Sequence, residues 1–279
     1  DPEFPMTYCR NPGLRRRWEM AIDGTLNDEA VQAHNMIWKM LAKWVTPECA
    51  EIERTAVYKF RSLVAKHWRE GRVMIAGDAA HLTPPFMGQG MCAGIRDASN
   101  LAWKLISCLR NGHNDILLSS YEEERKPHVR KFIETAVQLG ELICSKTPEY
   151  ALSTFASDAV KKNAMKSLTP PLGQSNLSKL VGNNKELVGT LFGQPKLSNG
   201  KKMDEIFPYQ PILISSQPLE ESLYTVASSE EFPELEEILV AANLDSVLIR
   251  PDRYVLTFTE NRAETLKLAM DQNIRNWFA

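Results

Sequence analysis

The sequence predicts an α/β chain, with an α+β mixture of elements, from three observations. Residues 72–105 contain a short apolar run, a loop rich in glycine and proline, and then apolar residues at helical spacing. Residues 186–279 alternate between strand-like and helix-like segments. Both successions are typical of chains in which helices pack on sheets. The 279 residues, 43% of them hydrophobic, suffice for one core and favour two.

Before residue 72, the sequence predicts two strands and a helix. Residues 14–21 are expected to form a strand. Asn27 or Asp28 is expected to cap a helix that runs to about Trp44, because short polar side chains accept hydrogen bonds from first-turn amides. Residues 52–64 alternate in part between apolar and polar side chains and predict a half-buried strand.

The segment after Arg72 has the layout of a ligand-binding strand, turn and helix. Residues 73–76 are expected to form a buried central strand that presents Asp78 at its carboxyl end. After Pro84 and Pro85, steps of three and four residues predict one apolar helical face, made of Met91, Ile95, Ala98, Ala102, Leu105 and Leu109.

The start of this helix is a candidate site for a negatively charged group. Backbone N–H groups near Gly90, Met91 and Cys92 have no intrahelical partner and lie at the positive end of the helix dipole. Glycine at 88 and 90 lets the backbone approach a ligand closely. Asp78, which only accepts hydrogen bonds when ionised, suits a sugar or polyol hydroxyl.

The rest of the chain predicts a long helix, a linker and a second domain. A helix from Asp115 to about residue 146 should be bent or interrupted at Pro127, and residues 147–185 should form a polar linker with short helices. Beyond it we expect strands at 211–215 and 223–227, a helix at 230–242, a hairpin at 247–259, and a last helix at 263–278 with Leu266, Met270, Ile274 and Trp277 on its apolar face.

At these residues the chain resembles the class A flavoprotein monooxygenases, the single-component FAD-dependent aromatic hydroxylases. The resemblance is carried by GDAAH, PP, GQG and DASNLAWKL within residues 77–105 and by YEEERKPH at 121–128. It implies that Asp78 binds the ribityl or ribose part of FAD and that Pro85 lies near the isoalloxazine ring. The amides of Met91 and Cys92 would face the flavin N1/C2 carbonyl edge. The implied set also includes Gly77, Gly88, Gln89 and Gly90.

The resemblance also implies an activity. NAD(P)H would reduce FAD, and O₂ would then be used to hydroxylate a small phenolic or other aromatic substrate, with the cofactor carrying the chemistry. Tyr58 or Arg61 would border the aromatic pocket; packing on a sheet and a surface cation are the alternative roles for these two residues. No residue is assigned as the catalytic base.

A four-part organisation follows from the same resemblance. Residues 1–70 would belong to the substrate-binding domain, 71–146 to the C-terminal part of the FAD-binding domain, 147–185 to a linker, and 186–279 to a thioredoxin-like domain without a CxxC pair. The 279 residues contain no GxGxxG fingerprint for the FAD pyrophosphate. The chain is therefore expected to be the C-terminal part of a larger flavoenzyme and to bind FAD weakly by itself.

Composition argues against some classes of partner, and two other functions remain as alternatives. A net charge of −2 argues against nucleic-acid and membrane-surface partners, and five cysteines without CxxC favour reduced thiols and a cytoplasmic location. A homodimer is one assembly that the resemblance allows. His81 is expected to be a loop histidine bonded to backbone, with no metal site. Two alternatives stay open: an inactive binding or assembly module, and a hydrolase that uses Asp78 and His81 with or without a metal.

Overall fold

The computed structural model of the protein describes residues 5–22, 24–25, 27–144, 147, 149, 153, 169–180, 186–207 and 209–278. Strands and helices are mixed within these ranges, so the α/β prediction is confirmed. The chain divides into two compact units: the first comprises Asp1–Ser62, Thr83–Gly88 and Ile133–Ser167, and the second Leu63–Leu82, Gln89–Phe132 and Leu168–Ala279. The four predicted domain ranges stay predictions, and most of the linker at 147–185 lies outside the described residues.

The first unit begins with a hairpin. Strands β1 (Met6–Arg10) and β2 (Arg16–Met20) pair antiparallel over their full lengths. The strand expected at 14–21 is therefore confirmed in a shorter form. Its partner β1 was not predicted from the sequence.

Two short helices follow where one was predicted. Helix α1 (Asp28–Gln32) is capped by the Asn27 side chain, whose Oδ1 accepts a hydrogen bond of 2.8 Å from the amide of Ala30, as expected. A single helix to Trp44 is wrong, because the extended backbone at Ala33 ends α1 and a separate helix, α2 (His34–Leu41), begins after it. The core of this unit contains Val31, Ile37, Met40 and Leu41.

The strand predicted at 52–64 is wrong over most of its length. Residues 51–62 have no regular secondary structure, and only Leu63–Val64 pairs, as β3. Tyr58 and Phe60 are exposed and pack edge to face on each other, with ring centroids 4.8 Å apart. An alternating pattern forms a strand only where a neighbouring strand supplies backbone partners, and residues 51–62 find none among the described residues.

The second unit contains two short antiparallel ladders near the predicted motif. Strand β3 pairs with β6 (His81–Leu82), and β4 (Arg69–Glu70) pairs with β5 (Val73–Met74). The buried central strand predicted at 73–76 is wrong, because β5 has only two residues and Val73 is 70% exposed. Within the described residues β5 pairs only with β4, so it has a strand on one side only and is not a central strand.

Two long helices run through the second unit. Helix α3 covers Gly90–Asn111 and α4 covers Asp115–Ile143, and the part of α4 from Ile133 onwards belongs to the first unit. Pro127 lies inside α4 and does not interrupt it, so an interruption is wrong, and the alternative of a bend stays a prediction. Near this proline, the amide of Gly173 donates a hydrogen bond of 2.8 Å to the carbonyl of Glu124. Within the described residues, no helix combines the length and apolarity that crossing a bilayer requires.

The apolar face predicted for α3 is not its buried face. Met91 is 76% exposed and Leu109 is 85% exposed, whereas Asp97, Asn100 and Lys104 are fully buried. The predicted helix is confirmed, and its polar face is the buried one because these side chains find partners on other segments of the unit, which removes the cost of burying them.

The C-terminal half of the second unit is built on a four-stranded mixed sheet. Its strands are β7 (Ile212–Ser215), β8 (Thr225–Ser228), β9 (Ser246–Ile249) and β10 (Val255–Thr259), in the order β10-β9-β7-β8. Strands β7 and β8 are parallel, and the other two pairs are antiparallel. The predicted strands and hairpin are confirmed, and the thioredoxin-like assignment stays a prediction. The helices of this half are α5 (Asn176–Leu180), α6 (Met203–Ile206), α7 (Glu234–Ala242), α8 (Arg262–Ala269) and α9 (Gln272–Arg275).

The last helix was predicted as one element and is two. The Asp271 side chain accepts hydrogen bonds from the amides of Asn273 and Ile274 and so starts α9 as a separate helix. Leu266 and Met270, assigned to a shared apolar face, are exposed.

The sheet is buried on both faces, and one of the faces packs against the long helices α3 and α4. One face packs on residues that include Phe207, Phe232 and Leu239. The other face presents Leu213, Leu248 and Leu256, which share a core cluster with Trp103 of α3 and Leu117 of α4. The turn between β9 and β10 is thereby held close to the two long helices.

Candidate functional site

The turn that carries Asp78 is a short 3₁₀ element, Gly77–Ala79. Gly77 has φ +59°, a left-handed conformation that glycine adopts without strain. It also lies against α3, since a Cβ added at Gly94 would be 3.4 Å from the Gly77 Cα. The Asp78 carboxylate is exposed and has no hydrogen-bond partner among the described residues. The turn thus presents an unpaired acceptor to solvent.

Helix α3 starts without a side-chain cap. Its N-cap is Gln89, whose side chain makes no capping bond and instead accepts a hydrogen bond of 3.3 Å from Arg96. The first intrahelical bond comes from the amide of Ala93, so the amides of Gly90, Met91 and Cys92 remain available. A Cβ added at Gly90 would meet no atom within 4 Å. The helix therefore offers open N–H donors at its positive end.

The proline loop belongs to the first unit. Pro85–Met87 form a second 3₁₀ turn, closed by a hydrogen bond of 2.9 Å from the Gly88 amide to the Pro85 carbonyl. Gly88 has φ +61°, a left-handed conformation that glycine adopts without strain and other residues adopt only at a cost. The ring of Phe86 lies against α4, where a Cβ at Gly140 would be 2.3 Å from it.

A buried carboxylate, Asp97, joins the Asp78 turn to both long helices. Its Oδ2 accepts hydrogen bonds from the Gly77 amide at 3.1 Å and from His81 Nε2 at 2.7 Å. Its Oδ1 accepts a bond of 2.8 Å from Arg125 Nε of α4. Burial acts to raise the pKa of Asp97, but His81 and Arg125 outweigh it, so the pKa lies below its ordinary value. Asp97 is thus ionised and accepts from three donors.

A second buried network connects α3, α4 and the β9–β10 turn. Glu124 accepts from Lys104 Nζ at 2.8 Å and from Asn100 Nδ2 at 3.0 Å, and it pairs with Arg250 at 3.0 Å. Asn100 also donates to Asp252, which pairs with Arg250. The two cations and two carboxylates balance, as buried charges must.

The electrostatics of this second network hold its ionised form. Burial alone would raise the pKa of Glu124, but the positive charges of Arg250 and Lys104 outweigh it and lower the pKa to about 2. Burial lowers the pKa of Lys104 to about 8, which still leaves its ammonium protonated at neutral pH. Both partners are therefore charged at neutral pH.

His81 does not behave as the sequence suggested. It is 2% exposed, lies in β6 and bonds to the Asp97 carboxylate, so a backbone-bonded loop histidine is wrong. Asp78 is exposed while His81 is committed to Asp97, and the Asp78–His81 hydrolase alternative therefore gains no support. No group of three metal-binding side chains occurs among the described residues.

The residues assigned to the aromatic pocket lie in the first unit. Tyr58 is 57% exposed, and Arg61 is exposed on the irregular segment before β3. Their role stays a prediction.

Sequence reasoning missed the two buried networks, although a signal for them exists. Polar residues at 97, 100 and 104 follow helical steps of three and four, and those at 121, 124, 125 and 128 do the same. Two helices that each carry a polar stripe of mixed charge can pair those stripes. This pattern was outweighed by the apolar stripe on the opposite face of α3.

The residues of the second unit fit FAD in the two respects that this structure tests. An exposed acceptor at Asp78 suits a polyol or ribose hydroxyl, and uncapped amides at Met91 and Cys92 suit the electron-rich carbonyl edge of a flavin. The open space at Gly90 lets a planar group approach the backbone. These features fit the cofactor-binding role predicted for this segment.

Comparison with known proteins supports FAD as the cofactor and shows which proteins the chain is similar to. Residues 15–136 match the family described as FAD binding domain. A probable NADH-specific resorcinol 4-hydroxylase of Rhodococcus jostii is 45% identical over 140 residues, which are 50% of this chain and 26% of that protein. A 3-(3-hydroxy-phenyl)propionate/3-hydroxycinnamic acid hydroxylase of Mycobacterium avium is 32% identical over 216 residues, 73% of this chain and 37% of that protein. These matches support the resemblance to the class A flavoprotein monooxygenases.

Solved structures agree at the level of the fold. A ternary complex of aklavinone-11 hydroxylase with FAD and aklavinone superposes with a TM-score of 0.73 at 20% identity, covering 99% of this chain and 57% of that one. The OxyS anhydrotetracycline hydroxylase of Streptomyces rimosus gives 0.69 at 19% identity, covering 98% and 57%. The match covers 26% of the length of the Rhodococcus jostii hydroxylase and 37% of the length of the Mycobacterium avium hydroxylase, so this chain spans well under half of either relative.

Proposed function

We propose that this chain is the FAD-holding and C-terminal part of a monooxygenase that hydroxylates a small phenolic substrate with NAD(P)H and O₂. The observation that carries the proposal is the open N-terminus of α3 beside an unpaired, exposed Asp78, within a segment that matches an FAD-binding family. Bound FAD would supply the redox chemistry, accepting hydride from NAD(P)H and activating O₂. The names of the relatives favour resorcinol and 3-(3-hydroxyphenyl)propionate as first substrates to test.

The chain's own residues would bind and orient the cofactor. Asp78 would accept a hydrogen bond from a ribityl or ribose hydroxyl, and the amides of Met91 and Cys92 would face the flavin N1/C2 edge. Their fixed dipoles would stabilise negative charge on the reduced ring without reorganisation. Tyr58 or Arg61 would border the substrate, and Pro85 would lie near the ring.

Fluorescence titration of FAD with the 279-residue chain tests this proposal. FAD should bind, weakly because the sequence holds no pyrophosphate fingerprint, and Asp78→Ala should weaken binding further by about 1.5–3 kcal/mol, the range for a hydrogen bond to a charged group. Glu70→Ala, another exposed carboxylate of the second unit, is the matched control and should leave the affinity unchanged. Equal affinities for all three proteins would contradict the assignment of Asp78.

Activity and assembly need separate measurements. NAD(P)H oxidation stimulated by resorcinol or 3-(3-hydroxyphenyl)propionate would test the reaction, with each nicotinamide cofactor assayed in turn. The family resemblance allows a homodimer. Sedimentation velocity would test whether the chain forms one.

A further inference from the structure

The Asp78 turn is held at both of its ends by one atom. Asp97 Oδ2 accepts from the Gly77 amide, immediately before Asp78, and from His81 Nε2, three residues after it. The 3₁₀ turn between them is closed by a bond of 2.8 Å from the Ala80 amide to the Gly77 carbonyl. The position of Asp78 is therefore set by contacts on either side of it, while its own carboxylate stays unpaired.

Helix α4 supports the same arrangement. Arg125 binds the second oxygen of Asp97 and donates to the Ala93 carbonyl of α3 at 3.4 Å. The hydroxyl of Tyr121 donates to the Ile75 carbonyl at 3.0 Å, just before the turn. Asp97, His81 and Arg125 are shielded from solvent, so these bonds have no competition from water.

We propose that Asp97 is a positioning residue for cofactor binding: with His81 it fixes the Gly77–His81 turn on α3 and so aims the Asp78 carboxylate at the cofactor hydroxyl. This inference rests on the proposed function, because it assigns Asp97 and His81 a role toward the same FAD site. Neither residue would touch FAD. Their effect on binding would pass entirely through Asp78.

A double-mutant cycle separates positioning from simple structural support. His81→Leu removes the donor to Asp97, whereas His81→Gln keeps an N–H at a similar distance from the backbone. We expect His81→Leu to weaken FAD binding by about tenfold, or about 1.4 kcal/mol, and His81→Gln to restore most of it. In an Asp78→Ala background, His81→Leu should cause no further loss. Equal losses in both backgrounds would overturn the positioning role.

A measurement without FAD guards against variants that fail to fold. In the unsubstituted chain, hydrogen exchange followed by NMR should show the Gly77 amide strongly protected, because its acceptor is a buried carboxylate. Exchange at the rate of an open amide would overturn the proposal whatever the variants do. If the unsubstituted chain binds no FAD at millimolar concentration, the proposed function fails together with this inference. If it binds FAD and the cycle is additive, only the positioning role fails.

Discussion

Lys104 of α3 and Glu124 of α4 form an ion pair of 2.8 Å although both side chains are shielded from solvent. The pair is completed by Arg250 and Asp252 from the β9–β10 turn. Charges this deep in a protein are tolerated only when each has a partner and its remaining polar atoms are hydrogen-bonded. The turn between β9 and β10 thus supplies half of the charges in this network. Ion pairs therefore connect the C-terminal sheet to α3 and α4.

Removing one member of this network should destabilise the chain strongly. Glu124→Gln leaves the buried ammonium of Lys104 without its carboxylate, and we expect the free energy of unfolding in urea to fall by about 3–5 kcal/mol. Glu53→Gln is the matched control, because Glu53 pairs with Arg15 at 2.7 Å on the exposed surface of the first unit. It should change the stability little. Similar losses for the two variants would contradict the buried network.

The same carboxylate should make the chain sensitive to acid. The pKa of Glu124 is about 2 in the folded chain, against an ordinary value of 4.5. A lowered pKa contributes stability that is present above pH 4.5 and is lost as the pH falls toward 2. Urea denaturation between pH 5 and 2 should therefore show a steeper loss for the parent than for Glu124→Gln. Parallel pH profiles would count against the charge assignment.

His128 should add a separate loss at milder pH. Burial first, and the charge of Arg125 second, lower its pKa from 6.5 to about 3, so the folded chain holds it neutral. Between pH 6.5 and 3 the unfolded chain binds a proton that the folded chain does not, and stability falls as the pH falls. His128→Gln should flatten the profile between pH 6.5 and 4.5, above the range in which Glu124 acts. An unchanged slope in that window would contradict the prediction.

Gly173 should tolerate no side chain. A Cβ there would lie 2.3 Å from the Glu123 carbonyl oxygen and 2.7 Å from the Pro127 ring. Gly173→Ala should destabilise the chain by about 1–3 kcal/mol, the usual range for overpacking. Gly193→Ala, where a Cβ meets nothing within 4 Å, is the control and should be close to neutral. Thermal unfolding of the two variants tests the contact between residues 169–175 and α4.

Gly90→Val should separate binding from folding. The space around Gly90 is open and its φ is not positive, so the branched side chain should leave the thermal stability unchanged. It would occupy the space through which a flavin approaches the first-turn amides, and FAD affinity should fall by about tenfold or more. FAD fluorescence titration beside a melting curve measures both. An unchanged affinity would place the flavin elsewhere.

The candidate site was predictable because its residues are adjacent in sequence. Gly77, Asp78, Gly90 and the helix start that follows belong to one strand-turn-helix run, and local rules suffice to place glycines at turns and free amides at a helix start. The hairpin at β9 and β10 was predictable for the same reason, since its two apolar runs flank the turn at Pro251-Asp252.

What tertiary structure decided is which face of each element is buried. Local periodicity placed Met91 and Leu109 on one apolar face of α3, yet the structure buries the face that carries Asp97, Asn100 and Lys104. A polar face can be buried only if partners arrive from elsewhere in the chain, and here they come from residues 16 to 152 positions away. The sequence by itself determined the local geometry that fits a flavin. Only the tertiary structure decided how that geometry is held in place, because the free energy of a buried charge depends on neighbours that sequence spacing does not reveal.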